Sequence, residues 1–344
     1  MKIGVLGGGQ LGRMLALAGY NLGLSFCIYD PDPSCCSKEL APTIHAEFND
    51  LEKLIQFANQ VDIITYENEN IPYQTLMSLI QYKKIYPGIE AVRICQDRLL
   101  EKDFLKKLAI PTTDYLEINS LDEVKKAAEI LKFPFFLKSR RHGYDGKGQF
   151  KITDASDIAE LSEETLKIGF IAEKFVAFDR EFSIICAKGL TGEILFYDLC
   201  ENVHRSGVLY TTSNKINDAM FNQAKRYVEK LVDEFSYIGI VAVEFFQIGE
   251  ECLVNEIAPR VHNSGHWTIE GALTSQFENH LRAIIGLPLG LTTSRCEVLM
   301  TNILGEMPDK LEFLQSNQVF LHDYHKSPKP GRKLGHYTQL INAI

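Results

Sequence analysis

Leu137-Lys-Ser-Arg-Arg-His-Gly-Tyr-Asp-Gly-Lys-Gly-Gln149 is the stretch around which the chain is organised. It continues an apolar run that begins at Phe133 and predicts a short buried strand, which Lys138 closes. The three glycines that follow allow successive backbone N–H groups to turn toward one point and form an anion-binding concavity. Four cationic side chains belong to the same stretch: Lys138, Arg140, Arg141 and Lys147. We interpret the stretch as a flexible flap over a polyphosphate; the alternative is a solvated hairpin turn between two strands.

Composition limits the classes of protein to which the chain can belong. Its 344 residues are enough for two or three domains, and 45% apolar with 24% charged residues is an ordinary globular balance. A net charge of −9 argues against broad nucleic-acid binding, and no apolar run approaches the roughly 20 residues that cross a bilayer. The eight cysteines lack metal-site spacing and predict reduced thiols, with Cys35 and Cys36 as bystanders rather than a redox pair. We therefore expect a cytoplasmic protein without a membrane or nucleic-acid partner.

A glycine motif opens the chain. Gly7, Gly9 and Gly12 match the pattern G-x-G-x-x-G and follow a strand predicted at residues 2–6. A second predicted strand ends at Asp30, near the position where a dinucleotide-binding fold places its ribose-binding acid. The motif alone indicates that a helix N-terminus lies close to an anion, and a phosphorylated metabolite satisfies that requirement as well as a pyrophosphate does. Both interpretations stay open at this point.

More β/α alternation follows and predicts a parallel sheet with a binding site at the carboxyl ends of its strands. A strand is predicted at 61–65 and a helix at 72–82, and Glu67 and Glu69 lie between them. These two acids belong either to the site or to a solvated loop. A helix at 96–108 then leads into a second, α+β unit. Its further predicted helices lie at 120–131, 154–162, 217–235 and 273–285.

Two acidic residues lie within apolar segments that are predicted to pair as strands. If the hairpin between the segments is centred at Gly249–Glu251, Glu244 lies opposite Glu256, with their Cβ atoms about 4.5–5.5 Å apart. Two such carboxylates repel each other and lose hydration, and a divalent cation removes both costs. Mg²⁺, which binds through few carboxylates and bridges to substrate phosphates, is the predicted ion. The alternatives are a protonated structural pair or a register that separates the two acids.

Two polar loops complete the set of candidate site residues. Residues 258–267 hold Arg260, two histidines, an asparagine and the single tryptophan, and we interpret them as an active-site loop beside the metal. Metal ligation by His262 or His266 is less favoured, because they lie on a loop without a third soft ligand. Residues 323–336 form a second cationic loop, which suits a phosphate of a second substrate or is merely solvated. Its cations include Lys326, Arg332 and Lys333.

Five strings of residues carry a resemblance to a known family. They are GGGQLGRM at 7–14, RRHGYDGKGQ at 140–149, NEIAPRVHNSGHW at 255–267, SQFENHL at 275–281 and PGRKLGH at 330–336. From residue 1 to about 338, the chain resembles the N5-carboxyaminoimidazole ribonucleotide synthetases, biotin-independent carboxylase-like members of the ATP-grasp superfamily. The first string is shared with the related glycinamide ribonucleotide transformylases, whereas the second and third are highly specific. Ala258 stands where many ATP-grasp enzymes place a metal-binding asparagine, as it does in this family.

The resemblance implies a mixed α/β and α+β fold. Its expected parts are an N-terminal Rossmann-like (pre-ATP-grasp) domain, an ATP-grasp domain and a small C-terminal β-rich domain. The expected boundaries are 1–95, 96–290 and 291–344, with a small flap subdomain at about 112–175 inside the second domain.

The resemblance also implies a ligase of purine biosynthesis. In this family ATP phosphorylates bicarbonate to carboxyphosphate, and the 5-amino group of 5-aminoimidazole ribonucleotide is then carboxylated. The implied cofactors are ATP and Mg²⁺, and the implied assembly is a homodimer. A formate-dependent ATP-grasp transformylase, a nicotinamide (NAD) oxidoreductase and a non-catalytic nucleotide-binding regulator stay as alternatives. A nicotinamide oxidoreductase or a nucleotide-binding regulator would give the paired glutamates and the cationic loops no function.

Site residues follow from the resemblance position by position. ATP is expected against Arg98, Lys138, Gly143, Tyr144, Asp145, Gly146, Lys147, Gly148, Gln149, Glu173, Lys174, Phe175, Val176, Glu181, His204, Asn255 and Glu256. The ribonucleotide is expected against Gly9, Gln10, Tyr144, Asp145, Lys326 and Arg332. Catalytic roles are implied for Arg260, Lys138 and Asp145, and Mg²⁺ is expected on Glu244 and Glu256.

Overall fold

The N-terminal part of the chain is a parallel sheet flanked by helices. The computed structural model describes residues 1–141, 143 and 148–341. The first elements are β1 (Lys2–Leu6), α1 (Gln10–Tyr20), β2 (Ser25–Tyr29), β3 (Thr43–Ile44), α2 (Leu51–Asn59), β4 (Ile63–Tyr66), α3 (Tyr73–Leu79) and α4 (Ile89–Cys95). The strands pair in parallel in the order β3-β2-β1-β4, as the β/α alternation predicts. Their carboxyl ends therefore meet at one edge of the sheet.

The glycine turn after β1 is occupied by carboxylates of the chain itself. Glu67, directly after β4, accepts hydrogen bonds from the backbone N–H groups of Gly9 (2.5 Å) and Gly12 (2.7 Å). Asp30, directly after β2, accepts one from the N–H of Gly8 at 2.6 Å. A Cβ at position 9 would collide with Glu67 Oε1, so the glycine allows the close approach of this carboxylate. The N–H groups that a dinucleotide pyrophosphate requires are therefore already used.

A smaller antiparallel sheet carries the glycine-rich stretch. The elements of this region are α5 (Arg98–Lys107), β5 (Tyr115–Ile118), α6 (Leu121–Leu131), β6 (Phe135–Ser139), β7 (Gln149–Ile152), α7 (Ala155–Ala159), α8 (Glu163–Leu166) and β8 (Phe170–Lys174). The strand order is β5-β8-β6-β7, and Lys138 on β6 lies opposite Gln149 on β7. Val124 and Ala127 of α6 pack into the core of this sheet against Leu137 and Phe170. The stretch thus leaves β6 and returns along β7.

The positive charge of the glycine-rich stretch is divided between two places. Asp97 is buried, caps the N-terminus of α5, and accepts hydrogen bonds from Arg140 Nε (2.9 Å) and Arg141 Nε (3.1 Å). Burial alone would raise the pKa of Asp97, but the hydrogen bonds from the two arginines outweigh burial and hold the pKa below its usual value. Arg140 also donates to Glu117 at 2.9 Å. Both arginines therefore anchor the end of β6 instead of facing the phosphate site expected for them, and Lys138 alone among the described cations of the stretch lines the cavity.

The rest of the chain builds one large sheet. Its elements are β9 (Arg180–Lys188), β10 (Ile194–Phe196), β11 (Leu199–Arg205), β12 (Val208–Lys215), α9 (Phe221–Glu234), β13 (Gly239–Ile248), β14 (Glu251–Ala258), α10 (Thr268–Gly271), α11 (Gln276–Ile285), β15 (Glu297–Leu304), α12 (Lys310–Phe313), β16 (Val319–Asp323) and β17 (Lys333–Ile341). The order is β14-β13-β9-β11-β12-β15-β17-β16, with β10 paired to β9. The C-terminal strands are thus hydrogen-bonded into the same sheet through β12 and β15. In the described part of the chain, no helix has the length and apolar character that a membrane span requires.

Some elements differ from their predicted limits for local reasons. The helix predicted from residue 217 begins at Phe221, because Asn217 has a left-handed φ of 59° and Asp218 accepts the N–H of Met220. Ile85 makes a single parallel bridge to Ile64 and does not extend the sheet by a full strand. Helix α4 has no counterpart in the prediction. Periodicity therefore identifies the long elements and misses short ones whose limits depend on single hydrogen bonds.

The Gly9→Ala substitution tests the carboxylate in the glycine turn. It should lower the free energy of unfolding by about 1–3 kcal/mol, because the added methyl group must displace Glu67. Gly88→Ala is the matched control, since the space at its Cβ position is open and its φ is −59°. Urea denaturation measures both variants against the parent chain. Equal stability of Gly9→Ala and the control would contradict this close packing.

Candidate active site

A large cavity lies where the two antiparallel sheets and the carboxyl edge of the parallel sheet meet. Its volume is about 960 Å³. The expected site residues that line it are Gln10, Arg98, Lys138, Gln149, Glu173, Lys174, Phe175, Val176, Glu181, His204, Glu244, Asn255, Glu256 and Arg260. Gly9, Gly143, Gly148, Lys326 and Arg332 are described but do not line it. Tyr144, Asp145, Gly146 and Lys147 lie outside the described residues.

The two acids predicted to face each other do so. Glu244 on β13 pairs with Glu256 on β14, and a β-bulge shifts the register directly beside this pair. Nearer the turn, Phe245 pairs with Val254, so the bulge leaves Asn255 without a partner on β13. The hairpin centre assumed from the sequence does not by itself account for the pairing. The extra residue is what brings Glu256 opposite Glu244.

The carboxylate pair has the electrostatics of a cation site. Burial raises the pKa of Glu244 to about 7, with a further rise from the charge of Glu256 and an opposing effect of His204. Glu256 is exposed to the cavity. Within the described residues, no group of three or more His, Cys, Asp or Glu side chains is arranged to hold a metal. Oxygen donors in this number fit Mg²⁺, which takes its remaining ligands from water and phosphates.

A buried ion network holds the lysine at the end of β6. Lys138 Nζ donates to Glu173 Oε2 at 2.7 Å, and Lys102 Nζ lies 3.9 Å from Glu173 Oε1. Burial opposes ionisation of Glu173, but the charges of Lys102 and Lys138 lower its pKa to about 2. The Glu173 carboxylate is therefore engaged by two ammonium groups, although the resemblance implies a contact with adenine. The position of Glu173 indicates that its carboxylate mainly orients Lys138.

Two further polar side chains that line the cavity are held by hydrogen bonds to the chain. Arg98 donates from Nη1 to Ser139 O (2.8 Å) and from Nη2 to Gly143 O (3.2 Å), which ties α5 to the start of the glycine-rich stretch. His204 Nδ1 forms a hydrogen bond with Glu181. Burial lowers the pKa of His204, yet the hydrogen bond to Glu181 prevails and raises it above its usual value. Each of these polar side chains thus has a partner within the cavity wall.

The loop after β14 presents an arginine that is held by a carboxylate. Arg260 donates from Nη2 to Glu69 Oε1 at 2.9 Å and from Nε to Glu69 Oε2, which gives a two-point ion pair. Burial opposes ionisation of Glu69, but Arg260 outweighs it and lowers the pKa of Glu69. The solvated-loop alternative for Glu67 and Glu69 is wrong, because Glu67 is buried and Glu69 is mostly buried. The loop after β4 belongs to the cavity wall.

Some residues that line the cavity were not assigned an individual role from the sequence. His262 Nε2 lies 3.6 Å from Glu244 Oε1, and burial together with Arg260 lowers the pKa of His262 well below its usual value, so the ring is neutral. Phe178 and Phe246 stack with ring centroids 4.7 Å apart and form an apolar wall. Phe246 follows Glu244 by two residues on one strand, and that spacing places both on the same face. Glu67, Glu69, Asn263 and Lys333, which the sequence placed in candidate loops without an individual role, also line the cavity. The other lining residues outside the prediction are Leu11, Asn68, Asn70, Thr113, Phe136, Gly207 and Leu209.

Of the described residues predicted for the ribonucleotide, Gln10 lines the cavity and Lys326 contacts Gln10 from behind the cavity wall. Lys326 Nζ donates to Gln10 Oε1, which joins the C-terminal loop to the start of α1. Burial lowers the pKa of Lys326. Arg332 lies on the same loop and donates to Ser327 O at 3.3 Å. Gly9 directly precedes Gln10 in the chain and donates its backbone N–H to Glu67 Oε1.

Comparison with protein-family models divides the chain into three matched segments. A ribonucleotide synthetase preATP-grasp domain matches residues 1–96, and an ATP-grasp domain matches residues 103–277. A phosphoribosylaminoimidazole carboxylase C-terminal domain matches residues 298–343. These matches confirm the expected fold class.

Individual relatives agree along almost the whole chain. The N5-carboxyaminoimidazole ribonucleotide synthase of Pseudomonas aeruginosa is 44% identical over 338 residues, covering 98% of this chain and 94% of that protein. The crystal structure of the synthetase from Thermus thermophilus matches with a TM-score of 0.94 and 43% identity, covering 99% of this chain and 94% of that one. An Aspergillus clavatus synthase, solved in complex with ADP and 5-aminoimidazole ribonucleotide, matches with a TM-score of 0.89 and 32% identity over 99% of this chain and 93% of that one. The chain therefore belongs to the N5-carboxyaminoimidazole ribonucleotide synthase family of ATP-grasp proteins.

Proposed function

We propose that this protein is an ATP-dependent ligase that carboxylates 5-aminoimidazole ribonucleotide with bicarbonate, yielding N5-carboxyaminoimidazole ribonucleotide, ADP and phosphate in purine biosynthesis. The observation that carries the proposal is one cavity that holds Lys138, the paired Glu244 and Glu256, and Arg260 together. Near-full-length relatives with this activity in their names support it. The proposal includes a cytoplasmic homodimer, as the resemblance implies.

ATP is proposed to bind between the two antiparallel sheets. Arg98 and Lys138 supply positive charge for its phosphates, and both are already oriented by hydrogen bonds to the chain. The base lies along the segment from Lys174 to Val176, where the stacked rings of Phe178 and Phe246 provide an apolar surface. Glu181 and His204 face the ribose. By the family resemblance, the stretch from Gly143 to Gln149 is proposed as the flap over the phosphates; its residues 144–147 lie outside the described part of the chain.

Magnesium is proposed on the paired carboxylates. Glu244 and Glu256 would hold it, since the raised pKa of Glu244 reflects a charge that burial leaves poorly compensated. When bound, Mg²⁺ neutralises charge on the phosphates. Asn255, at the bulge, lines the cavity beside this pair.

The chemical step needs cations where negative charge develops. A bicarbonate oxygen forms a bond to the γ-phosphorus as the bond to the ADP oxygen breaks, which gives carboxyphosphate. The 5-amino nitrogen then bonds to the carboxyl carbon, either directly or after CO₂ forms in the closed site, with loss of phosphate and of an amine proton. Arg260, oriented by Glu69, is placed to stabilise the charge on bicarbonate and carboxyphosphate. Lys138 serves the transferred phosphoryl group, and Asp145 completes the proposed catalytic set.

The ribonucleotide is proposed to bind at the end of the cavity near α1. Gln10 lines the cavity there and is held by Lys326, and Arg332 on the same C-terminal loop as Lys326 is proposed to offer a guanidinium for the phosphate of the ribonucleotide. Tyr144 and Asp145 belong to the proposed site through the family resemblance. Glu67 already accepts hydrogen bonds from the N–H groups of Gly9 and Gly12. The glycine turn is therefore proposed to let the ribonucleotide approach the backbone closely, and not to bind its phosphate through these N–H groups.

The decisive assay is ADP release in the presence of bicarbonate, with and without 5-aminoimidazole ribonucleotide. We expect the ribonucleotide to stimulate ATP turnover, because the acceptor amine removes carboxyphosphate productively. Replacing bicarbonate by formate is the control for a transformylase. Turnover that depends on formate, or tight calorimetric binding of NAD without a response to the ribonucleotide, would replace the proposed activity.

The Glu256→Gln substitution tests the proposed metal site. It should abolish phosphoryl transfer at limiting Mg²⁺ while leaving the fold intact, because an amide cannot balance the cation's charge. Glu250→Gln is the matched control, since Glu250 is exposed at the turn of the same hairpin. ADP release across a range of Mg²⁺ concentrations gives the comparison. Near-normal turnover of Glu256→Gln at limiting Mg²⁺ would remove Glu256 from the metal site.

The Arg332→Ala substitution tests the proposed ribonucleotide site. Loss of a charge-assisted phosphate contact should raise the KM for the ribonucleotide roughly ten- to a hundred-fold and leave the KM for ATP nearly unchanged. Lys329→Ala is the control, because Lys329 is an exposed cation of the same loop. Equal changes in both Michaelis constants would indicate a general disturbance of the site.

A further inference from the structure

Helix α5 carries two adjacent ionisable side chains in the protein interior. Glu101 is 2% exposed and Lys102 is 1% exposed, and residues of these types are almost never fully buried unless they are paired. Neither side chain lines the cavity. The hydrogen bonds of these two side chains show what they hold in place.

Strand β14 is an edge strand whose outer backbone groups need hydrogen-bond partners. Within the described residues, β14 is the end strand of the large sheet, and its outer edge meets residues 111–112 and side chains of α5 instead of a further strand of the sheet. Lys102 Nζ donates to Asn255 O at 3.0 Å and lies 3.4 Å from Val254 O. Glu101 Oε2 accepts the N–H of Ile257 at 3.0 Å. The groups so satisfied lie on both sides of Glu256.

Thr112 extends this contact. Its hydroxyl accepts from Lys102 Nζ at 2.7 Å and donates to Val254 O at 2.7 Å. The backbone segment at Val254 and Asn255 is the one where the register shifts. Because a one-residue slip in register turns a side chain to the opposite face of a sheet, groups that hold the bulge also decide where Glu256 points.

The same lysine reaches the phosphate side of the cavity. Lys102 Nζ lies 3.9 Å from Glu173 Oε1, and the other oxygen of that carboxylate accepts from Lys138 Nζ at 2.7 Å. Lys102 therefore contacts both the backbone that carries Glu256 and the carboxylate that orients Lys138. A neutral side chain in its place would leave Asn255 O without this donor and Glu173 with one counter-charge fewer.

We propose that Lys102 is a positioning residue that holds the bulge of the metal-binding strand and the phosphate-binding Lys138 in one fixed arrangement. It touches neither ATP nor the ribonucleotide. It acts through Asn255 O on the direction of Glu256 and through Glu173 on the direction of Lys138. This inference rests on the proposed function for the reaction that it supports.

Lys102→Met tests the proposal, because it keeps the length of the side chain and removes its donors and charge. Lys107→Met is the control on the same helix, since Lys107 is exposed and pairs with Glu234 at 2.7 Å. Calorimetry of ADP binding with and without Mg²⁺ gives the enhancement of affinity by the metal, which does not depend on activity. Assays of ATP turnover give kcat, the Mg²⁺ requirement and the KM for the ribonucleotide.

We expect Lys102→Met to reduce the enhancement of ADP affinity by Mg²⁺ and to raise the Mg²⁺ requirement, each by ~10- to 100-fold, as for other groups that orient metal ligands. We also expect kcat to fall while the KM for the ribonucleotide stays within about twofold of the parent value, because Lys102 is remote from that end of the cavity. Lys107→Met should match the parent protein in every measurement.

A fall in thermal stability with unchanged Mg²⁺ enhancement and unchanged Mg²⁺ requirement would overturn the proposal, because it would indicate a structural role alone. If Lys102→Met does not fold, Thr112→Val serves as the deciding variant, since it removes one neutral partner of the lysine and changes no charge in the buried network. It should raise the Mg²⁺ requirement several-fold, and a parent-like value would refute the proposal. A parent protein that ignores the ribonucleotide would contradict the proposed function, whereas the calorimetric comparison would still test Lys102.

Discussion

The carboxylate of Glu173 shared between Lys138 and Lys102 is the interaction on which the rest of the site depends. It is buried, it stays ionised because two ammonium groups surround it, and it joins β6, β8 and α5. Through Lys102 the same network reaches the edge of β14, where the bulge at Asn255 sets the direction of Glu256. Removing one charge from such a network leaves the others uncompensated in a medium of low polarity, so its members act together.

Several cations in and around the cavity are held by carboxylates of the chain itself. Glu69 holds Arg260, Asp97 holds Arg140 and Arg141, and Glu67 fills the N-terminus of α1. These pairs fix the side chains in position and limit the loss of conformational entropy when a ligand binds. Of these cations, Arg140 and Arg141 anchor the end of β6, whereas Arg260, like Lys138 and Arg98, lines the cavity.

The continuous sheet explains how distant parts of the chain meet in one cavity. Strands β15 to β17 extend the sheet that carries Glu181, Glu244 and Glu256, which brings the C-terminal loop beside the start of α1. The parallel N-terminal sheet contributes the carboxyl edge of β4 with Glu67 and Glu69. The cavity is therefore lined by residues from both ends of the chain, as is common for a pocket that lies between packed units.

What the sequence by itself determined is the kind of chemistry and the local pairing. The glycine-rich stretch, the specific strings and the apolar strands around Glu244 and Glu256 predicted a nucleotide site, a family and a facing pair of acids, because these depend on residues near each other in the chain. What the tertiary structure decided is the partner of each charge. Arg140 and Arg141 bind Asp97 instead of a phosphate, the turn at Gly9 holds Glu67 instead of a pyrophosphate, and the bulge at Asn255 is held by Lys102 from a distant helix. Which carboxylate pairs with which cation depends on the distances between groups that are far apart in sequence. Those distances are set by the folded chain and cannot be derived from a local sequence pattern.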